Sequence, residues 1–172
     1  RGVMQNLAKS MTWLRKAADQ GHSVAQTYLG YLFFQGQGVE KNVVESALWF
    51  LRAAEQGDAV AQRNLAILHH QGEGLPRNVD EAIRLYTLAA RQGDDIALNN
   101  LGALYSQGQG VESDPVTALT WFVLSSMRGS ALGRQNRDRL ARDMTLLQIG
   151  LAERRAQAWI AEHGDEVNRP GI

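Results

Sequence analysis

Few residues in this chain are equipped for chemistry. They are the adjacent pair His69-His70, three Gly-x-Gly loops (Gly36 to Gly38, Gly72 to Gly74, Gly108 to Gly110) and a run holding Arg134, Arg137, Arg139 and Arg142. Two histidines share a metal only if both rings face one way, and adjacent helical residues point about 100° apart. No HExxH spacing or acidic cluster accompanies them. His69 also falls one sequence period from both Phe33 and Tyr105, which points to packing. A phosphate cradle needs a strand before the glycines, a helix after them and a lysine in the loop; these loops have no such lysine. The arginines alternate with Asp138 and Asp143, the pattern of a solvated face rather than a nucleic-acid surface. Serines occur without a nucleophile-elbow pattern. With no cysteine, neither a disulfide nor a thiolate metal site can form. The reading is therefore no catalytic residue, no metal site and no cofactor.

The elements that carry these residues follow from a repeat. Ala53-Ala54-Glu55-Gln56-Gly57 has counterparts in Ala17-Ala18-Asp19-Gln20-Gly21 and Ala89-Ala90-Arg91-Gln92-Gly93, each 36 residues away, with a weaker echo at Ser125 to Gly129. The Gln-Gly-x-Gly loops repeat in phase with them. A fixed period of this length marks a stacked repeat architecture. Across 172 residues, 18 basic and 18 acidic side chains balance, which removes the electrostatic footprint of a nucleic-acid binder. No apolar run approaches the roughly 18 residues a membrane span needs.

Apolar spacing predicts helices over residues 3–20, 23–35, 42–56, 59–71, 79–92, 95–107, 115–128 and 130–143, and a last one from Leu146 to about His163. Asn42 with Glu45 and Asn78 with Glu81 read as capping boxes, in which the acid reaches back to the cap. Asp114 precedes Pro115, which suits a first helical position. Asp58, Asp94 and Ser130 cap the other helix of each pair; at His22, Ser23 is expected to take over. In-register small residues (Ala25, Ala61, Ala97, Gly133; Gly30, Ala66, Gly102) imply close helix approach, with Trp13, Trp49, Leu85 and Trp121 filling the wide side. Val24 is expected in the core stripe. Ile149, Ala152, Ala156 and Trp159 should pack the last helix back on the preceding pair, with Arg137 part of a polar cap face. The stripe Val3, Leu7, Met11 has no obvious cover, so self-association through this N-terminal edge, or further sequence upstream, is expected.

The run Ala47-Leu48-Trp49-Phe50, Ala53-Ala54-Glu55-Gln56-Gly57-Asp58, Asn64-Leu65-Ala66 and Gln71-Gly72-Glu73-Gly74 resembles the Sel-one-like repeat (SLR) family, cousins of tetratricopeptide repeats. The resemblance covers about residues 10–133, and Met144 to Trp159 is similar to the closing helix of bacterial members. It implies an all-α, right-handed α/α superhelical solenoid of 36-residue helix-turn-helix repeats with a C-terminal capping helix. Residues 1–163 would form one domain, with units at 22–57, 58–93 and 94–129 and a frayed tail over 164–172. The implied role is a non-catalytic scaffold or adaptor that binds a protein or peptide, in a periplasmic or secreted setting ahead of a cytoplasmic one. An enzyme or small-ligand binder with a site in the groove, or part of a longer multi-repeat protein, are the alternatives.

Within the first helix of each pair some positions change completely between copies. These are Thr27, Tyr31 and Phe34; Arg63, Ile67 and His70; and Asn99, Ala103 and Ser106. Their spacing of four and three puts each trio on one stripe, which the family's superhelix would place on its concave face. Asn64 and Asn100 are expected at the margin, able to bond an extended peptide. Tyr31, Phe34, Arg63 and His70 are the expected anchors.

Overall fold

The computed structural model describes the backbone of residues 2–167 and the side-chain environments of residues 11–164. Among the described residues stand nine helices and no strand. They are α1 (Gly2–Asp19), α2 (Ser23–Gln35), α3 (Val43–Glu55), α4 (Ala59–Gln71), α5 (Val79–Arg91), α6 (Asp95–Gln107), α7 (Pro115–Met127), α8 (Ala131–Ala141) and α9 (Leu146–Val167). They form two compact units, the first closing at Leu85 and the second opening at Tyr86, both within α5. In the first unit α2 packs on α1 and α3, and α3 on α4; in the second, α7 packs on α6, α8 and α9. The all-α reading holds. α8 stops two residues short of the expected 143, while α9 continues beyond His163. Of the tail expected over 164–172, residues 168–172 lie outside those described.

The repeat's turns are set by glycine and by side-chain caps. Gly36, Gly72 and Gly108 end α2, α4 and α6 at φ of 72°, 73° and 65°, a left-handed conformation that costs glycine nothing. Asp58, Asp94 and Ser130 accept the N–H of Ala61, Ala97 and Gly133 as expected. His22 makes no such bond, and Ser23 lies inside α2, so the expected replacement cap does not form. Gln148 and Thr145 do form the reciprocal box, at 2.9 and 3.3 Å.

The boxes at α3 and α5 form only half. Asn42 Oδ1 accepts the Glu45 N–H, and Asn78 Oδ1 the Glu81 N–H, each at 3.0 Å. Neither acid returns to the cap, because the cap N–H is already taken. Asn42 donates to the Phe33 carbonyl and Asn78 to that of His69, both at 2.9 Å, and Asp114 to Tyr105 at 3.0 Å. These recurring bonds staple each second helix to the one before it. The acids turn elsewhere: Glu45 accepts from Trp49 Nε1 at 3.0 Å, and Glu81 pairs with Arg84 through two contacts of 2.7 and 2.8 Å. That hydrogen bond holds the Glu81 carboxyl below its ordinary value. Asp114 is held low as well, first by the Thr117 hydroxyl at 2.6 Å, then by the Thr117 and Val116 N–H groups and the Arg155 charge.

Two buried glutamines were not foreseen. Gln26 donates to the Ala18 carbonyl at 3.0 Å and Gln62 to that of Ala54 at 3.3 Å, each adding a second donor to a carbonyl at the end of the preceding helix that already accepts the N–H of Gly21 or Gly57.

Packing follows the small residues, with one exchange of roles. The Phe50 ring lies on Gly30 and the Phe122 ring on Gly102, so phenylalanine fills the space glycine leaves. Trp49 and Leu85 are 2% exposed, but Trp13 is 69% exposed, because no earlier helix among the described residues stands against it. Val24 is likewise open to solvent. Val3 and Leu7 lie outside the side chains described, while Met11 packs against the Ala18–Leu29–Trp49 cluster and so has the cover it was expected to lack. Arg137, in a leucine's register, reaches Ser126 and pairs with Asp138 at 2.7 Å. Among the described residues no helix is long and apolar enough to cross a membrane.

Candidate functional site

Tyr31, Phe34 and Gln35 on α2 and Asn64, Ile67 and Leu68 on α4 face each other across a cleft of about 170 Å³, and Phe50 of α3 completes its lining. The cleft is a consequence of the repeat. Leu29, Leu32 and Leu65 turn inward as core, which leaves the positions between and beyond them, with the buried Leu68 beneath, to form the walls. Gly30 lets the Phe50 ring come within 2.8 Å of where a β-carbon would stand, which sets the depth of the third wall. Lys41 Nζ lies 5.5 Å from the centre of the Phe34 ring and brings a cation to the rim.

Four of the residues singled out from sequence, Tyr31, Phe34, Asn64 and Ile67, therefore line one cleft. Thr27, Arg63 and His70 sit half-buried on the same two helices, outside that lining. The Thr27 hydroxyl is enclosed without a hydrogen-bond partner, and the His70 carbonyl accepts from Arg77 Nε at 3.1 Å. On α6, in the other unit, Asn100, Ala103 and Ser106 are half-buried, and Ser113 Oγ bonds the Ser106 carbonyl. Asn99 departs from the expected exposed stripe. It is 6% exposed, and its Oδ1 accepts from Asn136 Nδ2 of α8 at 2.8 Å, so packing of α8 removes it from contact.

Sequence reasoning missed Gln35, Phe50 and Leu68 as lining, and Lys41 at the rim. A signal for Phe50 existed in the pairing of Gly30 with Phe50 and Gly102 with Phe122 at one constant spacing. His69 is half-buried, as a packing residue should be, although its Nδ1 is enclosed without a partner.

Paired helices of fixed length, left-handed glycine stops and cap N–H staples recurring every 36 residues define an all-α helical-repeat protein. The model of the Sel1 repeat matches residues 1–22, 23–58, 59–94 and 95–130, and the chain belongs to that family. It is similar to a Sel1 repeat protein from Oxalobacter formigenes, with 33% identity and a TM-score of 0.71 over 92% of this chain and 64% of that one. It is also similar to a protective antigen present in uropathogenic Escherichia coli strains that displays an SLR fold. There the identity is 27% and the TM-score 0.67, over 96% of this chain and 45% of that one. The chain thus spans less than two thirds of either structure. A comparison with curated proteins returns no match.

Proposed function

We propose that this chain is a non-catalytic adaptor that holds a segment of another protein in the α2–α4 cleft. The observation that carries this reading is the cleft itself, an apolar notch with an amide in its wall and a cation at its rim. Its size selects the guest. Drug-sized ligands and cofactors occupy about 300–1,000 Å³, whereas a cavity of about 150 Å³ takes a benzene ring. A notch of 170 Å³ therefore suits one aromatic or branched aliphatic side chain of a peptide. Asn64 carries both a donor and an acceptor to bond that peptide's backbone. Arg63 and His70 flank the notch on α4, while Asn100, Ala103 and Ser106 give the second unit a smaller surface of its own. Membership of a family whose repeats generally serve as protein-interaction scaffolds supports the same reading.

Selection of peptides from a random library displayed on phage tests it. Peptides with an aromatic or aliphatic anchor should be enriched, and Ile67→Arg, which fills the notch with a charged chain, should weaken them by tenfold or more. Enriched peptides that bind the Ile67→Arg protein equally well would refute the cleft as the site.

A further inference from the structure

The second helix of each repeat has one face that the pairing within the repeat leaves open, and its chemistry differs from copy to copy. On α5 that face carries Asp80, Arg84 and Thr87, and on α1 it carries Thr12 and Arg15, as a wet surface should. On α3 the same register holds Val44, Leu48 and Leu51, spaced four and three apart and 55%, 47% and 42% exposed. On α7 it holds Val116, Thr120 and Val123, and there α9 lies across it. Thr120 is 7% exposed, with its hydroxyl 3.4 Å from the Ala152 carbonyl, and Ala152 and Ala156 are fully enclosed. Trp159 meets Trp121 edge-on at 5.9 Å, and Arg155 Nη1 donates to Thr117 Oγ1 at 3.3 Å. The molecule itself thus displays what covers an apolar stripe in this register. It is a helix with alanines four apart, which allow close approach, and an arginine directed at the first turn of its host.

We propose that Val44, Leu48 and Leu51 form a docking face for an α-helix of a partner protein, engaged as α9 engages α7. Charge supports this occupant. Where α7 offers Arg155 the Thr117 hydroxyl, α3 offers the half-buried Glu45 carboxylate. One Glu45 oxygen accepts from Trp49 Nε1, and the second can take an arginine. Two cations close to the stripe in sequence are engaged by rings, since Arg52 lies 4.4 Å from the centre of the Trp49 ring and Lys41 lies over Phe34. A helix laid on an apolar stripe and read through anchors at such spacings is a recurrent mode of peptide recognition. This face is separate from the α2–α4 cleft, and neither proposal depends on the other.

The probe is a fluorescently labelled synthetic peptide of residues 144–164, titrated into the full chain and followed by anisotropy. The resident α9 keeps the α7 face covered, so binding in trans reports α3. Saturable binding is expected in the micromolar to millimolar range. Leu48→Arg, which copies the residue α5 carries there, should weaken it at least tenfold with unchanged circular dichroism. A peptide with Ala152→Leu and Ala156→Leu should lose as much. Absence of saturable binding, equal affinity for the Leu48→Arg protein, or equal affinity of the bulky peptide would each overturn the proposal.

Discussion

Replacing Gly30 with alanine tests the packing that shapes the cleft. An added β-carbon would stand 2.8 Å from two atoms of the Phe50 ring, against 3.4–4 Å for ordinary contact. The ring is 2% exposed, so any shift must displace packed neighbours or narrow the cleft it lines. Overpacking of this kind costs about 1–3 kcal/mol, while alanine in place of a mid-helix glycine returns about 0.5–1 kcal/mol. Ala66, fully enclosed in the same register, shows that the repeat accommodates a methyl where its neighbours allow. The net loss for Gly30→Ala should therefore be about 1 kcal/mol. At Gly102 the Phe122 ring stands at 2.6 Å, and the loss should be larger, about 2 kcal/mol. Gly150 in α9 supplies the contrast. Nothing lies within 4 Å of its β-carbon position, so Gly150→Ala should stabilise the protein by about 0.5–1 kcal/mol. Urea denaturation of the three variants reads all of these. If Gly30→Ala and Gly150→Ala shift stability in the same direction, the account of close approach is wrong.

Further outcomes follow from the caps and the charges. Asn42→Ala and Asn78→Ala should each cost about 1 kcal/mol in denaturant melts. Glu45→Gln should leave the cap intact, since the Asn42 N–H is held by Phe33 rather than by the acid. Asp114 has a folded pKa below its ordinary 3.8, so the stability it contributes is complete above that value and lost as pH falls through the folded pKa. The advantage of the native chain over Asp114→Asn should accordingly be constant near neutrality and shrink below about pH 4. A difference that stays flat to pH 2 would contradict the shift. In the peptide-display assay Tyr31→Ala should weaken selected peptides while leaving the melting temperature within about 2 °C of the native value.

The helices, their pairing and most caps were legible in the sequence because the chain repeats itself. A signal written three times in phase, such as Gln-Gly-x-Gly, overrides the ambiguity of any one copy. What the repeat could not show were contacts that vary between copies. Trp13 sits in the register of the buried Trp49 yet lies open, because burial depends on neighbouring helices rather than on register. Asn99 looked like a surface residue until Asn136, on α8, donated to its side-chain oxygen. The half-formed boxes at Asn42 and Asn78 escaped notice because their competing acceptors, Phe33 and His69, lie on the preceding helix. The cleft was legible only as a stripe, since its third wall, Phe50, belongs to a helix that was read as packing alone.

The most direct test of the account is nuclear magnetic resonance of the 19.0 kDa chain, titrated with a peptide selected on phage. The account predicts that the Ile67 methyls, the Asn64 side-chain amide and the Tyr31 ring shift first and together, and saturate at one affinity. Shifts confined to the outer face of α3 or to α7 and α9, with those three groups unmoved, would contradict it.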